Sequence, residues 1–264
     1  MQLRFLGVGS ASSQEFGNSS AVFEYCCEKT EVNKYLVIDF GFSVLQAFKG
    51  RYHCLPDSIF ITHAHLDHIG GLESLFYEAY FNRMDSGNAC SRSLIKLFVP
   101  HKLVSLLHQR LASLDNILAE GGANFWDAFQ VVPVGESFWL DQFKFVCFEA
   151  RHHSPGFSYG LCLPGSFLYS GDTKPIPEII SHYASQNELI FHDISLTPQP
   201  SHTYIDELQA YTHEHLKRMW FYHLKDKGCV MELKKRNLKT VDSHLVFKFR
   251  SQFENHENVV QLER

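Results

Sequence analysis

The stretch 61-ITHAHLDHIGG-71 crowds His63, His65, Asp67 and His68 into six positions directly after an apolar run. Buried and unpartnered, such a cluster would cost several kcal/mol in desolvation, and a bound metal ion would offset that. On an extended segment His63 and His65 point the same way, because side chains alternate. Asp67 and His68 follow where the chain turns into helical spacing, so they face a second point nearby. Four donors in H-x-H-x-D-H spacing can therefore serve two metals, one at His63 and His65, the other at Asp67 and His68. Tight clusters of this kind are a specific metal signature.

Working outward, the runs 2-QLRFLGVGSA-11, 19-SSAVFEY-25 and 34-KYLVIDFG-41 are β-branched and aromatic with Gly, Ser, Asn and Asp at their bounds, and predict three strands. Helical spacing with a Gly stop follows in 42-FSVLQAFKG-50. The run 56-PDSIFITHAH-65 predicts a fourth strand leading into the cluster, and 68-HIGGLESLFYEAYF-81 a helix behind it. Further strands are expected in 94–99, 129–134, 138–153, 158–173, 187–195 and 220–223, and helices over 102–118, 175–184 and 205–219. Strands alternating with helices in two halves favour an α/β sandwich in a single domain. The tail from Lys234 is more polar, with 244-HLVFKF-249 as a candidate edge strand.

Other strand ends offer further ligands: His152 and His153 in EARHHSPGFSYG, Asp172 in LYSGDT and His223 in MWFYHLKD. Each alone would be weak. Their shared placement directly after a strand is what raises them.

Composition bounds the partners. The 264 residues are 45% hydrophobic and 20% charged, ordinary for a soluble globular chain. A net charge of −5 argues against an extended nucleic-acid surface, yet leaves room for a small phosphate ester, since bound metals supply local positive charge. Seven cysteines without a CxxC pair indicate reduced thiols and a cytosolic protein. Neither a signal peptide nor a membrane span is evident.

The segment THAHLDHIGG, with His153, SGDT and YH downstream in that order, resembles the metallo-β-lactamase fold superfamily over nearly the whole chain. The resemblance implies an αβ/βα sandwich, one domain over residues 1–264, with two divalent metals on the rim of its sheets. It implies that His63, His65 and His153 hold the first metal, and Asp67, His68 and His223 the second, with Asp172 bridging. The segment HSPGFSYG looks like the family's H-x-P-G, which selects His153 over His152. Aspartate at 172 points away from the lactamases proper, which commonly carry cysteine there. FLGVGSASS, and ELIFHDIS before SHTYIDELQAY, resemble the ribonuclease Z branch of phosphodiesterases. In that branch an acidic residue and a histidine assist the leaving group, and Asp193 and His202 match them here, with Asp standing where Glu is usual.

Members that process tRNA carry a long basic arm, often between the His and Asp ligands. Here His153 and Asp172 are 19 positions apart, with room for one hairpin. The larger embellishment, about 76–129, is aromatic and helical. That pattern is similar to the small arm-less phosphodiesterases, among them the phage anti-Pycsar proteins that hydrolyse cyclic nucleotides.

The expected activity is hydrolysis of a small cyclic phosphodiester, with Asp67 orienting the attacking water and His202 protonating the leaving oxygen. An all-His/Asp donor set suits zinc, with manganese or iron chemically permitted. tRNA 3′ processing, thioester or lactone hydrolysis, and nucleotide sequestration without turnover are the competing readings. Phe76, Tyr77, Tyr80 and Phe81 recur at helical spacing, which favours core; a stacking wall or a homodimer contact is the sharper alternative.

Overall fold

Leu3 and Phe5 are fully buried while Gln2, Arg4 and Leu6 between and beside them are not. This period of two makes the first strand one face of a sheet. A computed structural model of the chain describes residues 1–85, 94–111, 122–249 and 258–262. In chain order its strands and α-helices begin with β1 (Gln2–Gly7), β2 (Ser20–Cys26), β3 (Asn33–Ile38), α1 (Val44–Tyr52), β4 (Ser58–Phe60), α2 (Leu66–Ile69) and α3 (Leu72–Asp85). Next come β5 (Ile95–Pro100), α4 (Val104–Leu111), β6 (Phe129–Val134), β7 (Ser137–Leu140), β8 (Phe143–Glu149), β9 (Tyr159–Leu163) and β10 (Phe167–Tyr169). The chain continues with α5 (Pro177–Tyr183), β11 (Leu189–Asp193), α6 (His213–Arg218), β12 (Met219–Tyr222), α7 (Lys227–Lys235), β13 (Leu245–Lys248) and β14 (Val259–Leu262).

Among the described residues these strands form two sheets, ordered β14-β13-β1-β2-β3-β4-β5-β6 and β12-β11-β10-β9-β8-β7. Aromatic rings join the sheets face to face. Phe5 of β1 lies 5.3 Å from Phe191 of β11 and 5.6 Å from Tyr222 of β12, ring centre to ring centre. Phe23 of β2 lies 5.5 Å from Phe145 of β8. Strands β4, β9 and β10 are buried along their whole length, which requires cover on both faces. The outer cover includes α1 against β1 and α6 against β11. The chain is the αβ/βα sandwich its sequence resembles.

Each sheet passes from antiparallel to parallel pairing. The run β3-β4-β5-β6 is parallel in one, β10-β11-β12 in the other. Carboxyl ends of parallel strands gather on one rim, the usual place for a site in α/β sheets.

Several local expectations change. The helix expected over 205–219 is broken: a 3₁₀ turn runs Ile205–Ala210, and Thr212 then caps α6 by accepting a hydrogen bond from the His215 N–H at 3.2 Å. An extended β-branched cap interrupts what the apolar spacing alone would continue. Strand β13 is not an edge; it lies between β1 and β14. Helix α7, which the sequence reading passes over, starts at Asp226, whose carboxylate accepts from the Cys229 N–H at 3.0 Å. Of the 76–129 segment, residues 86–93 and 112–121 lie outside the described ones, as does Cys90. Four of the six described cysteines are buried fillers, with Cys26 and Cys54 exposed. In α3, Phe76 is core, whereas Phe81 is 47% exposed and stacks on Tyr77. Among the described residues no helix is long and apolar enough to cross a membrane.

Candidate metal centre

The strand ends carry the donors. Asp39 follows β3 with φ 61°, and His223 follows β12 with φ 65°. Left-handed backbone is costly for such residues and persists where the surroundings over-determine it. Asp172 follows Gly171 at the end of β10, where φ is 64° and a Cβ would sit 2.5 Å from the Tyr159 carbonyl oxygen. Glycine is required there.

Hydrogen bonds fix which imidazole nitrogens are bare. The Thr62 hydroxyl donates to Asp39 Oδ2 at 2.8 Å, so it accepts from His63 Nδ1–H at 3.0 Å. His63 therefore turns an unprotonated Nε2 inward. His68 Nδ1–H donates to Asp39 Oδ2 at 2.7 Å, and His152 Nδ1–H to the Ser201 carbonyl at 2.8 Å. Their Nε2 lone pairs also face the centre. His65 Nδ1 lies 3.0 Å from His63 Nε2 and 3.2 Å from His152 Nε2. A single proton on that nitrogen could serve only one of them.

Asp172 sits at the middle. Its Oδ2 is 3.4 Å from Nε2 of both His68 and His223, 3.8 Å from His63 Nε2 and 3.9 Å from His152 Nε2. Asp67 Oδ2 approaches His68 Nε2 at 3.3 Å and His223 Nε2 at 3.9 Å. His68 Nε2, His223 Nε2 and Asp172 Oδ1 are buried without a hydrogen-bond partner. Orphaned buried donors and acceptors are costly, and bare imidazole nitrogens converging with carboxylate oxygens are what a divalent cation of the zinc type accepts. The residues fit the metal pair.

Electrostatics divides the histidines: burial opposes charge on His68, yet Asp172 and Asp39 outweigh it and hold that imidazole well above the ordinary range. Burial, with neighbouring histidines, holds His63 well below the ordinary histidine range, and burial lowers His65 and His152 too. Neutral imidazole is the ligating form. Burial opposes charge on Asp172, yet His223 and His68 outweigh it and hold the carboxyl well below the usual range. Burial likewise opposes charge on Asp67, where the neighbouring His223 and His68 imidazoles prevail and lower it.

Asp193 and His202 come together beside this cluster. His202 Nδ1–H donates to Asp193 Oδ2 at 2.8 Å. The His202 ring stacks on His223, 4.7 Å away and 17° off parallel, and lies 4.7 Å from the His152 ring. Burial opposes protonation of His202, but Asp193 and Asp172 outweigh it and raise its pKa.

The structure brings both His152 and His153 to His63 and His65, with ligand atoms of all four within 4.8 Å of one another. His152, its side chain 2% exposed, faces His65 and Asp172. His153 is exposed, with its ring 4.4 Å from that of His65. Alternation does not carry through the bend after β8, so spacing could not choose between them. Asp39 is the residue the sequence reading missed. Its signal was an acidic residue closing an apolar strand, VID before FG.

A groove of about 830 Å³ lies away from this centre, and its Lys34–Asp141 and Lys49–Glu78 pairs satisfy one another. A smaller pocket of about 150 Å³ opens beside His65.

Residues 1–247 match the model of the family described as anti-Pycsar protein Apyc1. The chain belongs to that family. A curated Apyc1 from Bacillus phage 010DV004 is 30% identical over 251 residues, covering 86% of this chain and 90% of the relative. Among solved structures, a diphosphatase of the PhnP family superposes with a TM-score of 0.71 at 19% identity, covering 94% of this chain and 98% of that one. The short form of human tRNase Z gives 0.62 at 17% identity, covering 92% and 96%. Both share the fold. Family, fold and donor set together make this Apyc1-family chain a metal-dependent phosphodiester hydrolase.

Proposed function

We propose that the chain hydrolyses a small cyclic phosphodiester, a cyclic nucleotide, at a two-metal centre. The observation that carries this is Asp172 Oδ2 standing within 3.9 Å of Nε2 on His63, His68, His152 and His223. In this reading His63, His65 and His152 would hold one divalent ion, Asp67, His68 and His223 the other, with Asp172 available to both. His152 replaces His153 in the ligand set. Two such ions, when bound, would lower the pKa of a shared water toward neutrality and neutralise phosphate charge.

The chain's own groups do the rest. Asp67, held by His68 and His223, orients the nucleophile as it ligates. His202, its Nδ1–H fixed on Asp193, presents Nε2 to the leaving oxygen and hands it a proton. Asp193 holds the ring in that orientation and, with Asp172, outweighs burial to favour the doubly protonated imidazolium whose Nε2 proton is given up, the part the branch assigns to its acidic residue. The His152 hydrogen bond to the Ser201 carbonyl ties the loop carrying His202 to the metal ligands.

The family's name supports a cyclic nucleotide as substrate, and the net charge of −5 speaks against a long nucleic acid. Zinc is the proposed metal, because imidazole nitrogens and carboxylate oxygens are donors it accepts. A homodimer acting in the cytosol is proposed with it, supported by the outward Tyr77–Phe81 stack, and one domain spans 1–264 in this reading. The test is turnover of cyclic mononucleotides beside a tRNA precursor by protein purified without chelator. Ring opening without tRNA cleavage is expected. Cleavage of the precursor alone, or nucleotide binding without turnover, would overturn it.

A further inference from the structure

Behind the Asp193–His202 pair lies a buried chain of polar groups that the chemistry described so far does not use. His192 and Asp193 are fully buried, and Tyr211 is 5% exposed. His192 Nδ1 is 2.8 Å from the Asp193 carbonyl oxygen, and its Nε2 is 2.7 Å from the Tyr211 hydroxyl. That hydroxyl accepts from the Ile176 N–H at 2.9 Å. A carbonyl only accepts, so Nδ1 carries the proton, and a neutral imidazole then has a bare Nε2. The Tyr211 hydroxyl donates to it. Burial raises the Tyr211 pKa, which keeps that proton in place. The opposite tautomer would set a lone pair against the carbonyl and leave a buried group unsatisfied.

One end of this chain is the carboxylate that orients His202. Asp193 Oδ2 accepts from His202 Nδ1–H at 2.8 Å, whereas Oδ1 is buried without a hydrogen bond and stands 3.4 Å from His192 Nδ1. A carboxylate anchored at one oxygen can rock about it. The His192 imidazole, clamped at both nitrogens, backs the free side. The other end is tied to the segment after Asp172. The Thr203 hydroxyl donates to the Thr173 carbonyl at 2.8 Å, Lys174 Nζ to Glu207 at 2.7 Å, and the Ile176 N–H to Tyr211. The Lys174–Glu207 pair is partly exposed, and such pairs contribute little. The Tyr211 bond is the one that runs on, through His192, to Asp193.

We propose that Tyr211 is a positioning residue for the general acid: its hydroxyl locks the His192 imidazole, which backs Asp193 and so holds His202 aimed at the leaving oxygen. The proposal rests on the functional reading above and extends its machinery by a residue that acts only through others. Misplacing a reacting group by about 1 Å can cost about 10²-fold in rate, which bounds what the hydroxyl contributes.

Tyr211→Phe removes the hydroxyl and keeps the ring. It should retain the metal content and the KM for a cyclic nucleotide while kcat falls by about 10–10²-fold. An activated nitrophenyl diester, whose leaving group needs little protonation, should lose far less. Tyr25→Phe deletes another buried tyrosine hydroxyl, bonded to Asp141 at 2.9 Å and remote from His202 in the hydrogen-bond network. It should lower Tm and leave the ratio of the two substrates unchanged, which separates positioning from stability. Imidazole nitrogen NMR of the zinc-loaded, histidine-labelled protein reads the chain without turnover. His192 should be the Nδ1–H tautomer in the wild type, and Tyr211→Phe should shift its signals and speed exchange of the His202 Nδ1–H proton. An Nε2–H tautomer at His192 in the wild type would overturn the positioning role. So would an equal loss on both substrates, or a His202 proton unaltered in Tyr211→Phe. If the expected tautomer and its release were seen in a protein that opens no cyclic nucleotide, the proposed activity would fall and the positioning chain would stand.

Discussion

Asp39 Oδ2 lies 2.7 Å from Nδ1 of His68 and 2.8 Å from the Thr62 hydroxyl, while Oδ1 accepts from the Thr62 N–H at 2.8 Å. One buried carboxylate thus orients His68 directly and His63 through Thr62, and these two histidines are proposed to serve different metals. Partners of this kind fix ligand tautomer and basicity.

Asp39→Asn should therefore lower metal affinity by about 10–100-fold, a common cost of losing such a partner. Chelator competition on each variant reads it. Unchanged affinity at both sites would mean that Asp39 only supports the fold.

His152→Ala and His153→Ala separate the neighbours. The first should remove one metal equivalent by elemental analysis, while the second keeps both. The reverse pattern would restore His153 as ligand and require the bend after β8 to rearrange on metal binding.

His202→Ala should retain both metals and slow cyclic nucleotide hydrolysis by about 10²–10⁴-fold, the typical cost of losing a general acid. An activated nitrophenyl diester, whose leaving group needs little protonation, should lose far less. Equal loss on both substrates would make His202 a substrate-positioning group. Loss of metal would make it a ligand and displace His223.

Gly171→Ala forces a side chain into left-handed backbone and against the Tyr159 carbonyl. It should destabilise the fold by about 1 kcal/mol or more, seen as a lower Tm. An unchanged Tm would show that the β10 turn relaxes freely.

How much of this was readable in the sequence depends on where each residue sits. His63, His65, Asp67 and His68 declared themselves because strand alternation and a helix start convert linear spacing directly into geometry. Asp172, His223, Asp193 and His202 were readable from their place after strands, with resemblance assigning their roles. The choice between His152 and His153 was not, because a bend has no fixed period. Asp39 stayed silent because an aspartate closing a strand reads as ordinary turn chemistry, and its partner lies 29 positions away. Helix α7 was missed for want of a long apolar stripe, and Thr212 broke a helix that apolar spacing alone would have continued.

The proposed donors divide between the two sheets. His63, His65, Asp67 and His68 follow β4 of one; His152, Asp172 and His223 follow β8, β10 and β12 of the other. Cations shared between them would act as rivets across the open edge of the sandwich. Metal binding free energy would then be held in common with sheet-to-sheet adhesion, and saturating metal would raise the unfolding temperature by mass action. Stripping the ions should loosen the rim first, so amide exchange would quicken at residues 61–69 and 221–224 while the Phe5–Phe191–Tyr222 layer beneath stays protected.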